Sequence, residues 1–479
     1  MGVMYYAVVI LRKVNVKNGI IHLFIFDSIQ LWNKDASKNI RGHAMNINNK
    51  CDMKIITLED AASKINSGDR VWAGGYLSVP VCFLHELGKR ACDLENTTLY
   101  SGLLTYPYEF LKPEYLGHLN YNSLFMGPLE KKFQHGGNAK IVPYHLSNAD
   151  EVLIQANCNV SVIEVTPPNA AGYVSLGACG GVGNKYALAS SELVIGVINE
   201  YQPFISNDDN LVHVDDFDFF TIGSHRIAGP KPEQPGQIEK DIASHVLPLI
   251  PNGSTIQIGI GTISNALGMG LIHHKDLGIH TEMFTESMME LCKLGVINGS
   301  QKNYKPNKIV AAFAAGSQEL IDFVDGNDNI EIGDVCVVND PVEIAKNDNF
   351  VSINTCIMVD LTGQVASEGI GHQQISGSGG QVDFVRGARM SNNGLSIIAL
   401  ASTHKDKKSG IIDSTIKLAL PEGTPITTLR NDVQIIVTEY GYADLRGLTT
   451  NARAQELIKI AHPDFRNKLI EHAKAVGLL

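Results

Sequence analysis

Two segments far apart in the chain share one layout. INSGDRVWAGGYLSVPVCFLHEL (65–87) and LIPNGSTIQIGIGTISNALGMGL (249–271) each run from a helix end through a glycine turn into a short apolar strand, then through a glycine-rich turn into a new helix. Gly68 aligns with Gly253, Val71 with Ile256 and Gly74 with Gly259. A strand that is apolar along its length and feeds a helix is at home in a parallel sheet covered by helices on both faces. A repeat of such a unit at this separation points to two similarly wound domains rather than a solenoid. The rest of the chain from Met53 agrees: DRVWAGG, VLIQANCNVSVIEV and ELVIGVIN read as strands, LEDAASKIN and PVCFLHELGKRA as helices. The fold class expected is α/β, with two similarly wound α/β domains built on mostly parallel sheets. The expected boundaries are an extension of unknown role at 1–52, a first domain at 53–228 and a second at 229–479. The join is expected in GSHRIAGPKPEQPGQIEKD (223–241), rich in proline and glycine.

Composition narrows the function. The 479 residues are 44% hydrophobic and 19% charged, enough apolar material for large cores and a poor match to disorder. The formal net charge is −11 and no block of Lys and Arg offsets it, so nucleic acid is not expected as a partner. A small anionic ligand stays open, because local backbone N–H groups govern such sites more than net charge does. The eight cysteines, Cys51, Cys82, Cys92, Cys158, Cys179, Cys292, Cys336 and Cys356, form no C-x-x-C pair and are expected as buried, reduced thiols of a cytoplasmic protein. No apolar run reaches the length of a membrane span, so no membrane partner is expected. In residues 1–52, MYYAVVIL and IIHLFIF are apolar but short, and basic residues follow the first run, the wrong order for a secretory signal. The segment reads as a poorly packed extension or an upstream translation start. A transit peptide is the rival, with few Arg and Ser to support it.

Five stretches carry candidate chemistry. In LGIHTEMFTESMMEL (277–291) a buried strand leads into His280, Thr281 and Glu282 before a helical pattern. Glu282, Glu286 and Glu290 could share one helix face, and a solvated stripe is the reading for the last two. Glu282 differs, since a carboxylate at the end of a parallel strand points into the usual ligand crevice and is costly unless hydrogen-bonded, paired or used. GIGTISNAL (259–267) follows the strand TIQI and opens a helix, a turn able to hold a phosphate or an oxyanion but not the G-x-G-x-x-G of dinucleotide binding. SGSGGQVDFVRGA (376–388) reads as a glycine-rich turn followed by apolar–polar alternation, with Asp383 and Arg386 placed to pair. In VTEYGYADLRG (437–447) Glu439 again stands at a strand end, and Asn354 is a polar residue within the strand-like VSINTCIMVD. A metal set of His273, His274, His280 and Glu282 fits no zinc spacing, and no metal is expected.

Together SGDRV, IQIGIGTISNA, LGIHTEM, GGQVDFVRGA, VTEYGYADLRG and IAHPDFR (460–466), six ordered motifs from about residue 54 onward, resemble the acetyl-CoA hydrolase/transferase family, a branch of the class I CoA transferases. The resemblance implies two α/β domains with the active site between them, and a glutamate, here Glu282, that becomes a glutamyl-CoA thioester. It implies that Gly259, Ile260, Gly261, Thr262 and Ile263 form a CoA-contacting loop, that Gly380 is a second CoA-contacting glycine near the oxyanion site, and that Lys405 also contacts CoA. It sets Asn354 and Glu439 beside the catalytic carboxylate. CoA is then a substrate, with no permanently bound cofactor. Acyl-CoA and small carboxylates are the partners, and the protein is a cytoplasmic homo-oligomer, a dimer or tetramer. The acyl group is left open among acetyl, butyryl, 4-hydroxybutyryl and propionyl. The sequence departs from the family pattern after the glutamate, where Glu286 and Ser287 stand in place of a common Asp-Gly pair. The rivals are a thioester hydrolase on the same scaffold, a CoA-binding subunit without catalysis, and a sugar isomerase or other phosphate-ligand protein that needs only the GIGTI turn.

Overall fold

The computed structural model describes residues 54–229, 232–407 and 409–479. The extension read at 1–52 lies outside them. Seven strands, β1 (Arg70–Trp72), β2 (Thr97–Ser101), β3 (Leu119–Ser123), β4 (Ala139–Ile141), β5 (Val160–Val165), β6 (Leu193–Ile198) and β7 (Phe219–Ile222), form one sheet. Its order is β4-β3-β2-β1-β5-β6-β7 and every pairing is parallel. A second sheet holds β8 (Thr255–Ile258), β9 (Gly278–Phe284), β10 (Ile309–Ala314), β11 (Ile330–Ile332), β12 (Phe350–Thr355), β13 (Leu395–Ala399), β14 (Ile435–Thr438) and β15 (Gly441–Asp444). Its order is β11-β10-β9-β8-β12-β13-β14-β15, parallel up to the antiparallel edge pair β14–β15.

The two sheets are wound alike, strand for strand. Val71 lies between Leu99 and Val160, and its counterpart Ile256 lies between Ile279 and Val351. Gly68 and Gly253 turn into these strands at φ +87° and +78°, a region that penalises any Cβ. In each sheet the strand order reverses at the repeated unit, between β1 and β5 and between β8 and β12. Such switch points open a crevice beyond the carboxyl ends of the strands. Burial on both faces explains the near-continuous apolar runs: all six residues of β5 and all four of β8 are buried.

Local structure departs from the sequence reading in several places. VLIQA belongs to the helix Ala149–Ala156, which ends at Asn157 with φ 49°, and only Val160–Val165 is strand. VSINTCIMVD splits into β12 and a separate strand Met358–Asp360. The apolar–polar alternation after Gly380 belongs to the helix Gln381–Met390. Its residues Gln381 to Val385 are all buried, so polar and apolar positions no longer mark an inside and an outside. The cysteines described are free, but Cys92 is exposed and only Cys158 and Cys179 are fully buried. Among the described residues no helix is long and apolar enough to cross a membrane.

Candidate active site

β9 pairs with β8 only at Gly278 and Ile279, while its ladder with β10 continues through Phe284. Beyond Ile279 one flank of β9 is therefore open to the crevice. Glu282 lies on this half-open stretch, inside the strand rather than where strand becomes helix. The helix begins only at Glu286, so Glu282 shares no helix face with Glu286 and Glu290. Glu290 is solvated and pairs with Lys293, as expected. Glu286 is not part of a solvated stripe: its carboxylate accepts the Ser317 N–H at 3.0 and 3.2 Å.

Strand alternation sends His280 and Glu282 to one face. His280 is fully buried, with Nε2 at 2.7 Å from the Val338 carbonyl and Nδ1 at 3.3 Å from Asn347 Nδ2. Burial lowers its pKa to about 3, so the ring is neutral and serves as a brace under the Val338–Asn339 segment. Glu282 Oε2 accepts the Gly380 N–H at 2.5 Å and Asn339 Nδ2 at 3.2 Å. Gly380 caps the ten-residue helix Gln381–Met390, so the helix N-terminus faces the carboxylate and favours its charged form. Burial works the other way and is the larger effect. With the negative Asp383 nearby, it pushes the Glu282 pKa up to about 7 against the two hydrogen bonds. Asp383 does not pair with Arg386. It accepts the Ser147 N–H and hydroxyl at 3.0 and 2.7 Å, while Arg386 bonds Asp432.

The loop carrying Gly380 is held by the first domain. Ser378 donates to the Tyr144 carbonyl at 2.6 Å, and the Leu146 N–H donates to the Gly379 carbonyl at 3.3 Å. Glu282 thus sits where the two sheets' loops meet. The opposite face of β9 contributes Met283 to a cleft of about 570 Å³, within the usual range for a small-molecule site. Thr285, Glu286 and Gly259 to Thr262 wall it from one side, Tyr76, Tyr106 and His225 from the other. The stretch read as a linker therefore supplies a cleft wall at His225 to Gly229.

Models of the acetyl-CoA hydrolase/transferase N-terminal and C-terminal domains match residues 41–228 and 316–473. The 4-hydroxybutyrate coenzyme A transferase of Clostridium kluyveri is 39% identical over 426 residues, 88% of this chain and 97% of that protein. The chain belongs to the acetyl-CoA hydrolase/transferase family. The butyryl-CoA:acetate CoA-transferase of Anaerostipes caccae is 34% identical, covering 90% of this chain and 98% of that one. The crystal structure of RipA from Yersinia pestis superposes with a TM-score of 0.83 at 31% identity, over 91% of this chain and all of that one.

The residues singled out from the family motifs are spread over this site. Gly259 to Thr262 line the cleft, with Ile260 59% exposed, whereas Ile263 packs against the core. The Gly259 N–H is not free for an oxyanion, because it bonds the Ile353 carbonyl at 2.8 Å as the last rung between β8 and β12. Asn354 and Gln257, side by side on those strands, exchange amide hydrogen bonds of 3.2 and 3.3 Å. Glu439 follows β14 and accepts the Ser402 N–H at 2.9 Å and its hydroxyl at 2.5 Å. The hydrogen-bond partners of the Asn354 and Glu439 side chains are thus Gln257 and Ser402, not Glu282. Lys405 is exposed on a hairpin, Thr403–Lys405 against Ile412–Ser414.

The residue that sequence reasoning missed is Asn339. In VVNDP it looks like part of a turn, since Asp340 caps the next helix and Pro341 opens it. Only the fold carries it to Glu282. Asn339→Ala is expected to lower kcat/KM about 10- to 100-fold at pH 7, the scale of one hydrogen bond to a charged group. The loss should shrink at higher pH, because the variant raises the Glu282 pKa further. A pH–rate profile displaced to higher pH is the check. A loss equal at every pH would assign Asn339 to packing alone.

Proposed function

We propose that the chain is a CoA-transferase that moves CoA between a short-chain acyl-CoA and a carboxylate such as acetate, with Glu282 as covalent nucleophile. The observation that carries this reading is the asymmetry of the Glu282 carboxylate. Oε2 is fixed by two donors, and among the described residues Oε1 accepts no hydrogen bond. A carboxylate anchored by one oxygen presents the other in a set direction, which is what attack on a carbonyl needs. The family likeness to 4-hydroxybutyrate and butyryl-CoA:acetate transferases supports the substrate class.

Glu282 Oε1 attacks the thioester carbonyl, the C–S bond breaks, and an acyl-glutamyl anhydride and CoA thiolate form. The thiolate then attacks the Glu282 carbonyl carbon and the acyl group leaves as a carboxylate, giving a glutamyl-CoA thioester. An incoming acid runs these steps backward and leaves as the new acyl-CoA. Each step trades one activated carboxyl for another, so no ATP is needed. CoA arrives and departs as substrate. The same reading takes the protein as a cytoplasmic homo-oligomer whose Asn354 and Glu439 shape the walls around the reacting groups and whose Lys405 hairpin contacts CoA.

A hydrolase on this scaffold would differ only in using water as the last acceptor. Purified protein with butyryl-CoA, with and without acetate, separates the two. Acetyl-CoA formed without release of free thiol is the expected result. Free thiol released equally with and without acetate would replace the transferase reading with hydrolysis.

A further inference from the structure

The transfer steps assign no part to Asp383, a buried acid beside the nucleophile. It is 3% exposed and stands third in the helix Gln381–Met390 that Gly380 caps. A carboxylate at this position ordinarily reaches back to the N–H of the capping residue. Here Glu282 Oε2 takes that N–H at 2.5 Å, and Asp383 turns elsewhere. Its two oxygens accept the Ser147 N–H at 3.0 Å and the Ser147 hydroxyl at 2.7 Å. Ser147 belongs to the first domain, in the loop whose Tyr144 carbonyl and Leu146 N–H hold the glycine turn. Its hydroxyl bonds Asp383 and the neighbouring Asn148, not Glu282 or Asn339.

Asn339 links this acid to the nucleophile. Its amide hydrogen-bonds Glu282 Oε2 at 3.2 Å and Asp383 as well. Asn339 is 0% exposed, and among the described residues its Oδ1 has no hydrogen-bond partner. No donor therefore fixes the amide from its oxygen side, and the two carboxyls set its orientation. Two neighbouring buried carboxyls do not ionise independently. Asp383 accepts from the Ser147 N–H and hydroxyl besides Asn339, so it has the more donors of the two and ionises first. Its charge then favours the neutral form of Glu282. Tyr144 faces both carboxyls with Cys336 beside it, and burial raises the pKa of each, so both stay neutral. His145 faces Asp383 and, when protonated, favours its charge.

We propose that Asp383 is a positioning residue for Glu282: fastened to the first domain by Ser147, it orients the Asn339 amide and keeps a negative charge beside the nucleophile that acylation relieves. This rests on the CoA-transferase reading and deepens it. In the exchange, the Glu282 carboxylate and an acyl-CoA become a glutamyl-CoA thioester and a free carboxylate. The negative charge thus leaves with the departing acid. Repulsion between Asp383 and Glu282 is present before the exchange and absent after it, so it favours the covalent form of the enzyme. The first domain acts on the nucleophile through Ser147, Asp383 and Asn339 in turn.

The test uses the full chain. Asp383→Asn keeps the shape and removes the charge. The midpoint of the rise of kcat/KM with pH, for butyryl-CoA and acetate, should move lower by about one unit, the scale of one neighbouring charge. At pH 8, with butyryl-CoA and butyrate at a fixed ratio, the ratio of Glu282 CoA adduct to free enzyme should fall about tenfold, the same shift read as an equilibrium constant. Asp383→Glu retains the charge and should leave the midpoint in place while lowering kcat. Ser147→Ala carries the test if Asp383→Asn does not fold. Alone it should lower kcat about tenfold with little change in KM, the scale of one hydrogen bond to a charged group. In an Asn339→Ala chain it should cost almost nothing, because its effect passes through that amide. An unmoved midpoint in Asp383→Asn overturns the proposal, as does a Ser147→Ala loss that is absent or that persists in full without Asn339. If the unmodified chain still transfers CoA through a Glu282 adduct, such results remove the role of Asp383 alone. No adduct and no transfer in the unmodified chain remove the covalent reading with it.

Discussion

Glu282→Ala is expected to reduce CoA transfer by about four orders of magnitude or more, the usual loss when a covalent nucleophile is removed. Unmodified protein given acyl-CoA without an acceptor should carry a CoA adduct on the peptide holding Glu282, visible by mass spectrometry, and the variant should carry none. Turnover at the normal rate without Glu282 would end the covalent mechanism. The nucleophile must be ionised, so with a pKa near 7 kcat/KM should climb as pH rises through about 7. The same shift has a sign in stability. The folded carboxyl keeps its proton up to about 7, whereas the unfolded one loses it near 4.5. Between those values the folded state binds more protons, so stability falls as pH rises across the window. Above pH 7 the buried charge is a standing cost. Glu282→Gln should therefore be more stable than the unmodified chain at pH 8, by about 1–3 kcal/mol, and no more stable at pH 4. Paired melting curves at the two pH values would show it. A protein that retains such a carboxylate trades stability for a nucleophile.

Much of this was legible in the sequence because parallel sheets write themselves as apolar runs between glycine turns. The shared unit at 65–87 and 249–271 announced two sheets, and their strand orders match. Glu282 was legible because a carboxylate in such a run demands a partner. Its partners were not. Asn339 and Gly380 are brought to it by tertiary structure, and each looks locally like an ordinary turn or helix end. The Gln381–Met390 helix was hard to read because its first five residues, polar and apolar alike, are buried, which erases the contrast between faces on which periodicity depends. His225 was overlooked because it lies in a stretch whose prolines and glycines suggested a mere connection. Exposure was no guide to Asn354 either: it is a satisfied amide facing Gln257, and only the fold shows which neighbour satisfies it.

Gly380→Ala should disable the enzyme while leaving it folded. The backbone there has φ −94°, which any residue can adopt, so the demand for glycine is purely one of space. A Cβ at this position would fall well inside van der Waals contact of Asn339 Nδ2 and Glu282 Oε2. Neither neighbour is a free end. Asn339 is 0% exposed, and Glu282 Oε2 is held by Asn339 and by the Gly380 N–H itself. The added methyl must therefore push the carboxylate off the helix N-terminus, lengthening the bond that fixes Oε1 for attack. A displacement near 1 Å at a reacting atom costs about 100-fold, and the loss of a donor to developing charge about 100- to 1000-fold. The loss should fall on kcat. The adduct at Glu282 should form slowly but in the correct place. Normal kcat in a well-folded Gly380→Ala protein would mean that the 2.5 Å bond between Gly380 and Glu282 does not set the nucleophile.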